Sequence, residues 1–255
     1  MHKRKTLAAA AAFLLASAAL ATSGASAAYA DDEEHCLPKG PGVVLIGDGM
    51  PNNLVGTPFD DFIDGRGGAD FINGLGGNDV ILGGDGNDTI LGGDGVDNIG
   101  GENGNDLIFG NQCDDLAGGG DGDDTVNGNE DDDTLTGGPG ADVANGDSGA
   151  DQLAGDLGDD VLNGGEGQDR VHGGPGADEL AGNEQNDRLD GDAGDDVLNG
   201  GFGNDDLFGG DGDDVVRGND GDDQMDGEAG TDTGNGGPAG GADVCSPATE
   251  TQINC

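Results

Sequence analysis

Aspartates recur every nine residues through most of this 255-residue chain, each within a glycine-rich segment. Gly83–Leu91 reads GGDGNDTIL, and the next nine residues read GGDGVDNIG. Glycines at the first, second and fourth positions permit positive φ angles, so backbone carbonyls can turn towards one point. The Asp at the sixth position adds a carboxylate oxygen. Hard divalent cations bind carbonyl and carboxylate oxygens, so the spacing predicts a series of cation sites.

The nonapeptide keeps its phase from Gly56 to Asn235, which is twenty consecutive units without an insertion. Position 1 is Gly and position 6 is Asp in all twenty, position 8 is aliphatic or Met in nineteen, and position 4 is Gly in sixteen. We expect the position-6 residues to be the metal ligands. They are Asp61, Asp70, Asp79, Asp88, Asp97, Asp106, Asp115, Asp124, Asp133, Asp142, Asp151, Asp160, Asp169, Asp178, Asp187, Asp196, Asp205, Asp214, Asp223 and Asp232.

The composition taken alone is typical of a disordered chain, with 54 acidic against 8 basic residues, a net charge of −46 and 58 glycines. A disordered acidic chain has no reason to keep a nine-residue phase through twenty units, so the periodicity favours a folded state. The excess of anions argues against a nucleic acid or an anionic membrane as partner, because both are recognised by Lys and Arg. Cations are the expected partners.

The repeat unit resembles GGxGxDxUx, the nonapeptide of the RTX (repeats-in-toxin) or haemolysin-type calcium-binding family. The resemblance implies an all-β fold, a parallel β-roll, in which the first six residues of each unit form a calcium-binding loop and the last three a short strand. Two units make one turn. Twenty units would therefore make about ten turns of 18 residues, with loops stacked on two sides and Ca²⁺ as the bound cation.

The residues support this geometry independently of the resemblance. Tripeptides such as Thr89–Leu91 are long enough for only one short strand, and a strand sends its middle side chain to one face and its neighbours to the other. Position 8 is therefore expected to line the interior. An 18-residue turn would place Asp88 in one ladder with Asp70 and Asp106, and apart from the nearer Asp79 and Asp97.

The two loop stacks differ in sequence. Units that begin at 56, 74 and 92 are called odd and those at 65, 83 and 101 even. The four residues that replace Gly at position 4 all lie in odd units: Phe59, Cys113, Asp131 and Gln185. We infer that the even stack is complete and the odd stack interrupted. Alternatively, GNQCDD, GNEDDD and GNEQND simply form a different tight turn without metal.

Ten loops on each side leave nine gaps in each stack, which sets a ceiling of 18 calcium ions. Because the odd stack is interrupted, about a dozen strong sites are expected. Folding should require calcium. Ordering so many glycines is entropically costly, the interior side chains are small, and carboxylates stacked turn upon turn repel one another.

The first thirty residues read as a secretory signal peptide: basic MHKRK, apolar TLAAAAAFLLASAALA, and small residues before cleavage after Ala27 or Ala30. The apolar run is short for a membrane span, and no later segment is apolar enough for one. The sequence therefore predicts a secreted, extracellular protein.

Short caps are expected at both ends of the repeats. VVLIGDGMPNNLV contains a degenerate unit from Gly47, with Asn52 in place of Asp, and GGPAGGADVC resembles a further unit with two inserted residues, which puts Asp243 and Cys245 at positions 6 and 8. The predicted organisation is a signal peptide at 1–30, an N-terminal cap at 31–55, the β-roll at 56–235 and a C-terminal cap at 236–255.

Four cysteines, Cys36, Cys113, Cys245 and Cys255, allow three disulfide pairings. The proximity of Cys245 and Cys255 in sequence favours that pair, and Cys36 would then pair with Cys113. A zinc site is disfavoured because no CxxC motif or Cys/His pair has ligand spacing.

The sequence predicts no catalytic residues and therefore no enzyme, because HExxH, GxSxG and a Walker lysine are absent. His172, at position 9, is expected to be isolated on the outer surface, and the scattered arginines, such as Arg66 and Arg188, to pair locally with acids. The predicted function is a secreted, stand-alone calcium-binding β-roll with a structural or surface-interaction role. The alternative is an adhesin-like binder of a glycan, mineral or cell surface.

Overall fold

The fold is a parallel β-roll. The computed structural model describes residues 36–237, 244–245 and 252–254, so the predicted signal peptide lies outside the described residues. These contain 24 strands and no helix, arranged as two parallel sheets of 12 strands each. Within this part of the chain, accordingly, no helix is long and apolar enough to span a bilayer.

Each sheet takes alternate strands of the chain. The odd sheet contains β1 (Pro41–Ile46), β3 (Asp60–Asp64), β5 (Val80–Asp85), β7 (Asn98–Asn103), β9 (Leu116–Asp121), β11 (Thr134–Pro139), β13 (Gln152–Leu157), β15 (Arg170–Pro175), β17 (Arg188–Ala193), β19 (Asp206–Asp211), β21 (Gln224–Ala229) and β23 (Val244–Cys245). The even sheet contains β2 (Asn53–Val55), β4 (Phe71–Gly76), β6 (Thr89–Asp94), β8 (Leu107–Gln112), β10 (Thr125–Glu130), β12 (Val143–Ser148), β14 (Val161–Glu166), β16 (Glu179–Glu184), β18 (Val197–Phe202), β20 (Val215–Asp220), β22 (Thr233–Asn235) and β24 (Gln252–Asn254).

Strand pairing confirms the 18-residue turn. Ile72 aligns with Ile90, and Ile90 with Ile108, in consecutive parallel strands of the even sheet. The structure corrects the length of the strands. Most have six residues, because pairing resumes at positions 2 and 3 of the next unit, as in β6, where Gly93 aligns with Asn111. Only positions 4 to 6 remain as a turn.

The core consists of the position-8 side chains, as predicted. They are at most 2% exposed, whereas their position-7 and position-9 neighbours face outwards. The core residues are Ile63, Ile72, Ile81, Ile90, Ile99, Ile108, Ala117, Val126, Leu135, Ala144, Leu153, Leu162, Val171, Leu180, Leu189, Leu198, Leu207, Val216 and Met225. One apolar side chain per unit therefore builds a continuous column between the two sheets.

The roll continues beyond the twenty units, to about 11 turns. Leu45 of β1 and Leu54 of β2 pack against the core. At the other end, Cys245 aligns with Met225 of β21, which is the register predicted from the two-residue insertion. The sequence did not reveal β24, whose Ile253 aligns with Gly234. The predicted Asp243 lies outside the described residues.

Candidate metal centre

The position-6 aspartates form two buried ladders, one on each side of the roll, and each is at most 4% exposed. The even ladder runs from Asp70 to Asp232 and the odd ladder from Asp61 to Asp223. The backbone N–H of Asp70 donates to Oδ1 of Asp88, and that of Asp88 donates to Oδ1 of Asp106, each at 2.7 Å. The carboxylates therefore stack at intervals of 18 residues, as the sequence predicted.

The second carboxylate oxygen of most of these aspartates has no hydrogen-bond partner within the protein. Oδ2 of every position-6 residue from Asp70 to Asp214 is buried without a hydrogen-bond partner. A buried carboxylate oxygen without a partner is costly, and native proteins contain few of them. A row of such atoms along both ladders fits a bound cation, which carboxylate oxygens are suited to hold.

Position 1 has no room for a side chain, because two oxygens approach it closely. A Cβ added to Gly83 would lie 2.5 Å from Asp88 Oδ2 and 2.7 Å from the carbonyl oxygen of Gly101 in the next turn. Ca²⁺ lies about 2.3–2.6 Å from its oxygen ligands. Only glycine therefore fits here. Gly83 does not use the positive φ that glycine permits, and it is required because a side chain would clash with these oxygens.

Position 2 adopts the left-handed region in every unit but the first, where Thr57 does not, and it does so even where it is not glycine. Leu75 and Glu102 have φ of 78° and 77°, and Gly84 and Gly93 have 110° and 121°. An added Cβ at Gly84 would overlap the backbone of Arg66 in the preceding turn. Successive loops are therefore in close backbone contact, which allows oxygens of adjacent turns to share one cation.

The odd and even loops differ at position 4 only where an odd loop carries a side chain there, because the odd-loop glycines Gly95 and Gly149 have φ of 129° and 148°. Gly86, Gly104 and Gly122 of the even units have φ of 140°, 129° and 143°. A Cβ added to Gly104 would overlap the carbonyl oxygen of Gly86, so the even stack tolerates only glycine here. Its N–H donates to the Asp121 carbonyl at 2.8 Å, which continues the backbone ladder.

The interrupted odd loops have a different backbone. Cys113, Asp131 and Gln185 have φ of 81°, 76° and 79°, the left-handed helical region open to side-chain-bearing residues. The N–H of Cys113 donates to the Asp131 side chain, with Oδ2 at 3.1 Å, in place of a backbone carbonyl. These loops are thus different turns, as the alternative interpretation of the sequence required.

The first position of the odd ladder also differs from the rest. Asp61 Oδ2 accepts hydrogen bonds from the Thr57 N–H at 2.6 Å and the Thr57 hydroxyl at 3.2 Å, and Oδ1 accepts one from the Val43 N–H. On the even side, Asn52 of the degenerate unit precedes Asp70, and its N–H donates to Asp70 Oδ1 at 2.7 Å. Both ladders therefore begin with groups that already have protein partners.

Burial favours the protonated form of these carboxyl groups when no cation is bound. It raises the pKa of Asp106 to about 7 and that of Asp115 to about 9. Hydrogen bonds from the backbone of Asp88 and Asp97 oppose the shift, and the neighbouring carboxylates of each ladder add to it. A divalent cation would reverse this preference, because it stabilises the ionised carboxylate.

The residues at position 5 form a further series of hydrogen bonds between turns, which was not predicted from the sequence. The N–H of Asp213 donates to Asp195 Oδ1 at 3.0 Å, and that of Thr231 donates to Asp213 Oδ1 at 2.9 Å. Asp or Asn occupies position 5 in thirteen of twenty units, a bias that could have been noticed. Such side chains hydrogen-bond to nearby backbone groups in turns, so these residues hold the loops in register.

A disulfide joins Cys36 to Cys113, with their Cα atoms 5.7 Å apart. Cys113 replaces glycine at position 4 of an odd loop, so the segment before β1 is tied to the odd loop stack. The Lys39 N–H donates to Asp60 Oδ1 at 3.0 Å in the same region. The predicted pairing of Cys245 with Cys255 involves Cys255, which lies outside the described residues.

His172 lies at position 9 on the outer face of the odd sheet, but the prediction that it is isolated is wrong. Its Nδ1 lies 3.9 Å from Oδ2 of both Asp190 and Asp192. Residues 18 apart share a position on successive turns, so the neighbouring Asp190 could have been found from the sequence. Arg188 has the expected acidic partner, with Nη2 3.5 Å from Asp190 Oδ2.

The fold and its buried oxygen ladders define a parallel β-roll that repeats one cation-binding loop along two sides. The profile of the RTX calcium-binding nonapeptide repeat matches the chain in overlapping segments that together span residues 46–234. The chain therefore belongs to the RTX calcium-binding nonapeptide-repeat family and is a calcium-binding structural repeat protein. A comparison with curated protein sequences finds no match.

Proposed function

We propose that this chain is an exported β-roll that folds when it binds Ca²⁺ and then serves a structural or surface-interaction role. The observation that carries the proposal is the row of buried, unpartnered Oδ2 atoms from Asp70 to Asp214. Ionised carboxylates at these positions would repel one another along each ladder without a cation. Folding and binding would then be one process.

The proposed ligands are the twenty position-6 aspartates, from Asp61 to Asp232, together with backbone carbonyls of the glycine-rich loops. Bound Ca²⁺ supplies positive charge that neutralises the ladders and joins one turn to the next. The chain positions the oxygens: position-1 glycines let a carboxylate and a carbonyl oxygen of the next turn approach closely, and hydrogen bonds between successive aspartates orient each carboxylate. Asp61 would be the weakest ligand, because Thr57 and Val43 already donate to it.

The proposed number of ions is below the ceiling of 18 set by the gaps between twenty loops. Every even loop retains glycine at position 4, so all nine even gaps are expected to bind. The odd loops with Cys113, Asp131 and Gln185 have a different backbone, and the gaps beside them are expected to bind weakly or not at all. About a dozen strong sites follow.

Export is proposed from the first thirty residues, whose basic, apolar and small-residue segments follow the order of a signal peptide. The Cys36–Cys113 disulfide supports the proposal, because disulfides persist in oxidising compartments. Extracellular calcium modules typically bind with a Kd of about 10⁻⁴–10⁻³ M, which would delay folding until after export.

An adhesin-like role is the second candidate, and the outer face of the even sheet favours it. Asn127, Asn145 and Asn163 occupy position 9 of three consecutive turns, and the Asn145 amide donates to Asn127 Oδ1 at 2.9 Å. Amide groups repeated at strand spacing could match a periodic glycan or mineral surface. Co-sedimentation with insoluble polysaccharides and with calcite would test this, and an unbound protein would remove the candidate.

Far-UV circular dichroism with and without EDTA tests the proposed coupling of folding to calcium. The β-rich spectrum should be lost on chelation and return on addition of Ca²⁺, but not of K⁺ at equal ionic strength. A β-rich spectrum that survives complete chelation near neutral pH would overturn the proposal.

A further inference from the structure

A cluster of metal-ligating side chains lies outside the two ladders, on the outer face of the odd sheet. We propose that His172, Asp190 and Asp192 bind a divalent transition-metal ion of the zinc type, distinct from the calcium sites. The candidate ligand atoms, one from each residue, all lie within 4.8 Å of one another. None of the three is a position-6 aspartate.

The 18-residue turn brings these residues together. His172 of β15 aligns with Asp190 of β17, and both are at position 9, so their side chains leave the same face of the sheet. Asp192 is at position 2 of the next unit, with φ of 69°. Its Oδ2 lies at the same distance from His172 Nδ1 as that of Asp190, 3.9 Å, and is thus directed towards the imidazole.

The spacing requires only a small closure to surround an ion. Ligands about 2.0–2.2 Å from zinc at tetrahedral angles lie roughly 3.3 Å apart. Each His–Asp pair would have to approach by about half an ångström and the two carboxylates by at most about 1.5 Å, which partly exposed surface side chains can do by small rotations. Water would complete the coordination, because the side chains of His172 and Asp192 are 44% and 51% exposed.

The site differs from the calcium ladders in its ligand atoms, because it combines an imidazole nitrogen with carboxylate oxygens. Imidazole suits Zn²⁺, Cu²⁺ and Ni²⁺, whereas Ca²⁺ prefers oxygen ligands throughout. The nearest competing cation is Arg188, with Nη2 3.5 Å from Asp190 Oδ2. The Arg188 guanidinium also lies 4.3 Å from the centre of the Phe208 ring, so it has a second partner when a metal takes the carboxylate.

Calorimetric titration of ZnCl₂ into the calcium-saturated protein tests the proposal, in a background where His2 and His35 are replaced by alanine and His172 is the sole histidine. One equivalent of Zn²⁺ should bind. H172A and D192N should each weaken it by at least about tenfold, since even outer-sphere changes cost 10–100-fold. R188Q should tighten it by removing the competing cation.

The matched control is D226N, which removes an acid at the same position 9 of the odd sheet, two turns from Asp190. It should leave zinc binding unchanged, and Co²⁺ should show the visible absorption bands of a bound site. Equal zinc binding in H172A and the background protein would overturn the proposal, as would no binding to the folded, calcium-loaded protein. Circular dichroism of each variant in Ca²⁺ reports folding separately, so failure here is distinct from failure of the proposed calcium role.

Discussion

The two ladders of the roll share every position-6 aspartate and every position-1 glycine but differ at position 4. In the even loops this position is always glycine, as at Gly104, where a side chain would overlap the preceding turn. In three odd loops Cys113, Asp131 and Gln185 occupy this position. Their φ angles are 81°, 76° and 79°, compared with 129° at Gly104. One position in nine therefore distinguishes a regular stack from an interrupted one.

The comparison shows that the core does not require both stacks to be regular. Ile108, Ala117, Val126 and Leu135 remain buried and in register beside the loops that contain Cys113 and Asp131. The sheets thus tolerate a changed turn, whereas the oxygen geometry between turns changes with it. The odd side has gained other contacts there, including the disulfide and the Asp131 side-chain hydrogen bond.

The pH should affect the metal-free chain more strongly than any single substitution in either ladder. Burial raises the pKa of Asp115 in the odd ladder to about 9, and that of Asp106 in the even ladder to about 7. Groups whose pKa is raised by folding favour the fold below their unfolded pKa, and this contribution is lost as pH rises through the folded value. Calcium-free protein should therefore have more β-structure at pH 4 than at pH 8.

Circular dichroism of exhaustively dialysed protein at pH 4, 6 and 8 measures this effect. Calcium affinity should change in the opposite direction and rise with pH, because a bound carboxylate must be ionised. Titrations in buffers of different ionisation enthalpy would detect the protons released. A metal-free chain that is more ordered at pH 8 than at pH 4 would contradict the raised pKa values.

Replacing one aspartate by asparagine should destabilise the protein more in the even ladder than in the odd ladder. Asp142→Asn in the even ladder keeps an oxygen to accept the Asp124 N–H but removes the charge between two regular gaps. It should cost about 3–5 kcal/mol of unfolding free energy in calcium. Asp133→Asn, in the adjacent odd unit beside Asp131, should cost less than about 1 kcal/mol. Chemical denaturation in excess Ca²⁺ compares the two, and equal losses would mean that the ladders are equivalent.

A smaller effect is expected from exchanging the position-4 residues. Gly176→Gln would place the odd-ladder residue in an even loop, where a Cβ overlaps the Gly158 carbonyl oxygen. Gln185→Gly would restore glycine in the neighbouring odd loop. The first should lower the number of bound calcium ions and the second raise it, by about one or two each. Equilibrium dialysis gives both counts, and no gain in Gln185→Gly would show that position 4 does not control the odd sites.

Periodicity accounts for the parts of the structure that could be predicted from the sequence. Because an 18-residue turn superimposes every second unit, the sequence placed Asp88 with Asp70 and Asp106 and directed Ile90 inwards. The same rule would have placed His172 beside Asp190. That neighbour was missed because the outer positions vary from unit to unit and carry no repeated signal.

The features that could not be predicted depend on backbone contacts between turns. The type of a residue gives little information about such contacts. Leu75 and Glu102 are in the left-handed region although neither type favours it, because the stacked turns impose the conformation. Gly83 is needed for space beside Asp88 and not for its φ. The strands are longer than predicted because the residues at positions 2 and 3, such as Gly93 and Asp94, pair across the sheet although glycine and aspartate are uncommon in strands.

The most direct test of the account is the number of calcium ions bound by the folded protein, measured by calorimetric titration with elemental analysis of the dialysed complex. About a dozen ions are expected, in two affinity classes, with the stronger class filling the nine even gaps. One or two ions, or a single class with all 18 gaps filled, would contradict the proposal of a complete even ladder and an interrupted odd one.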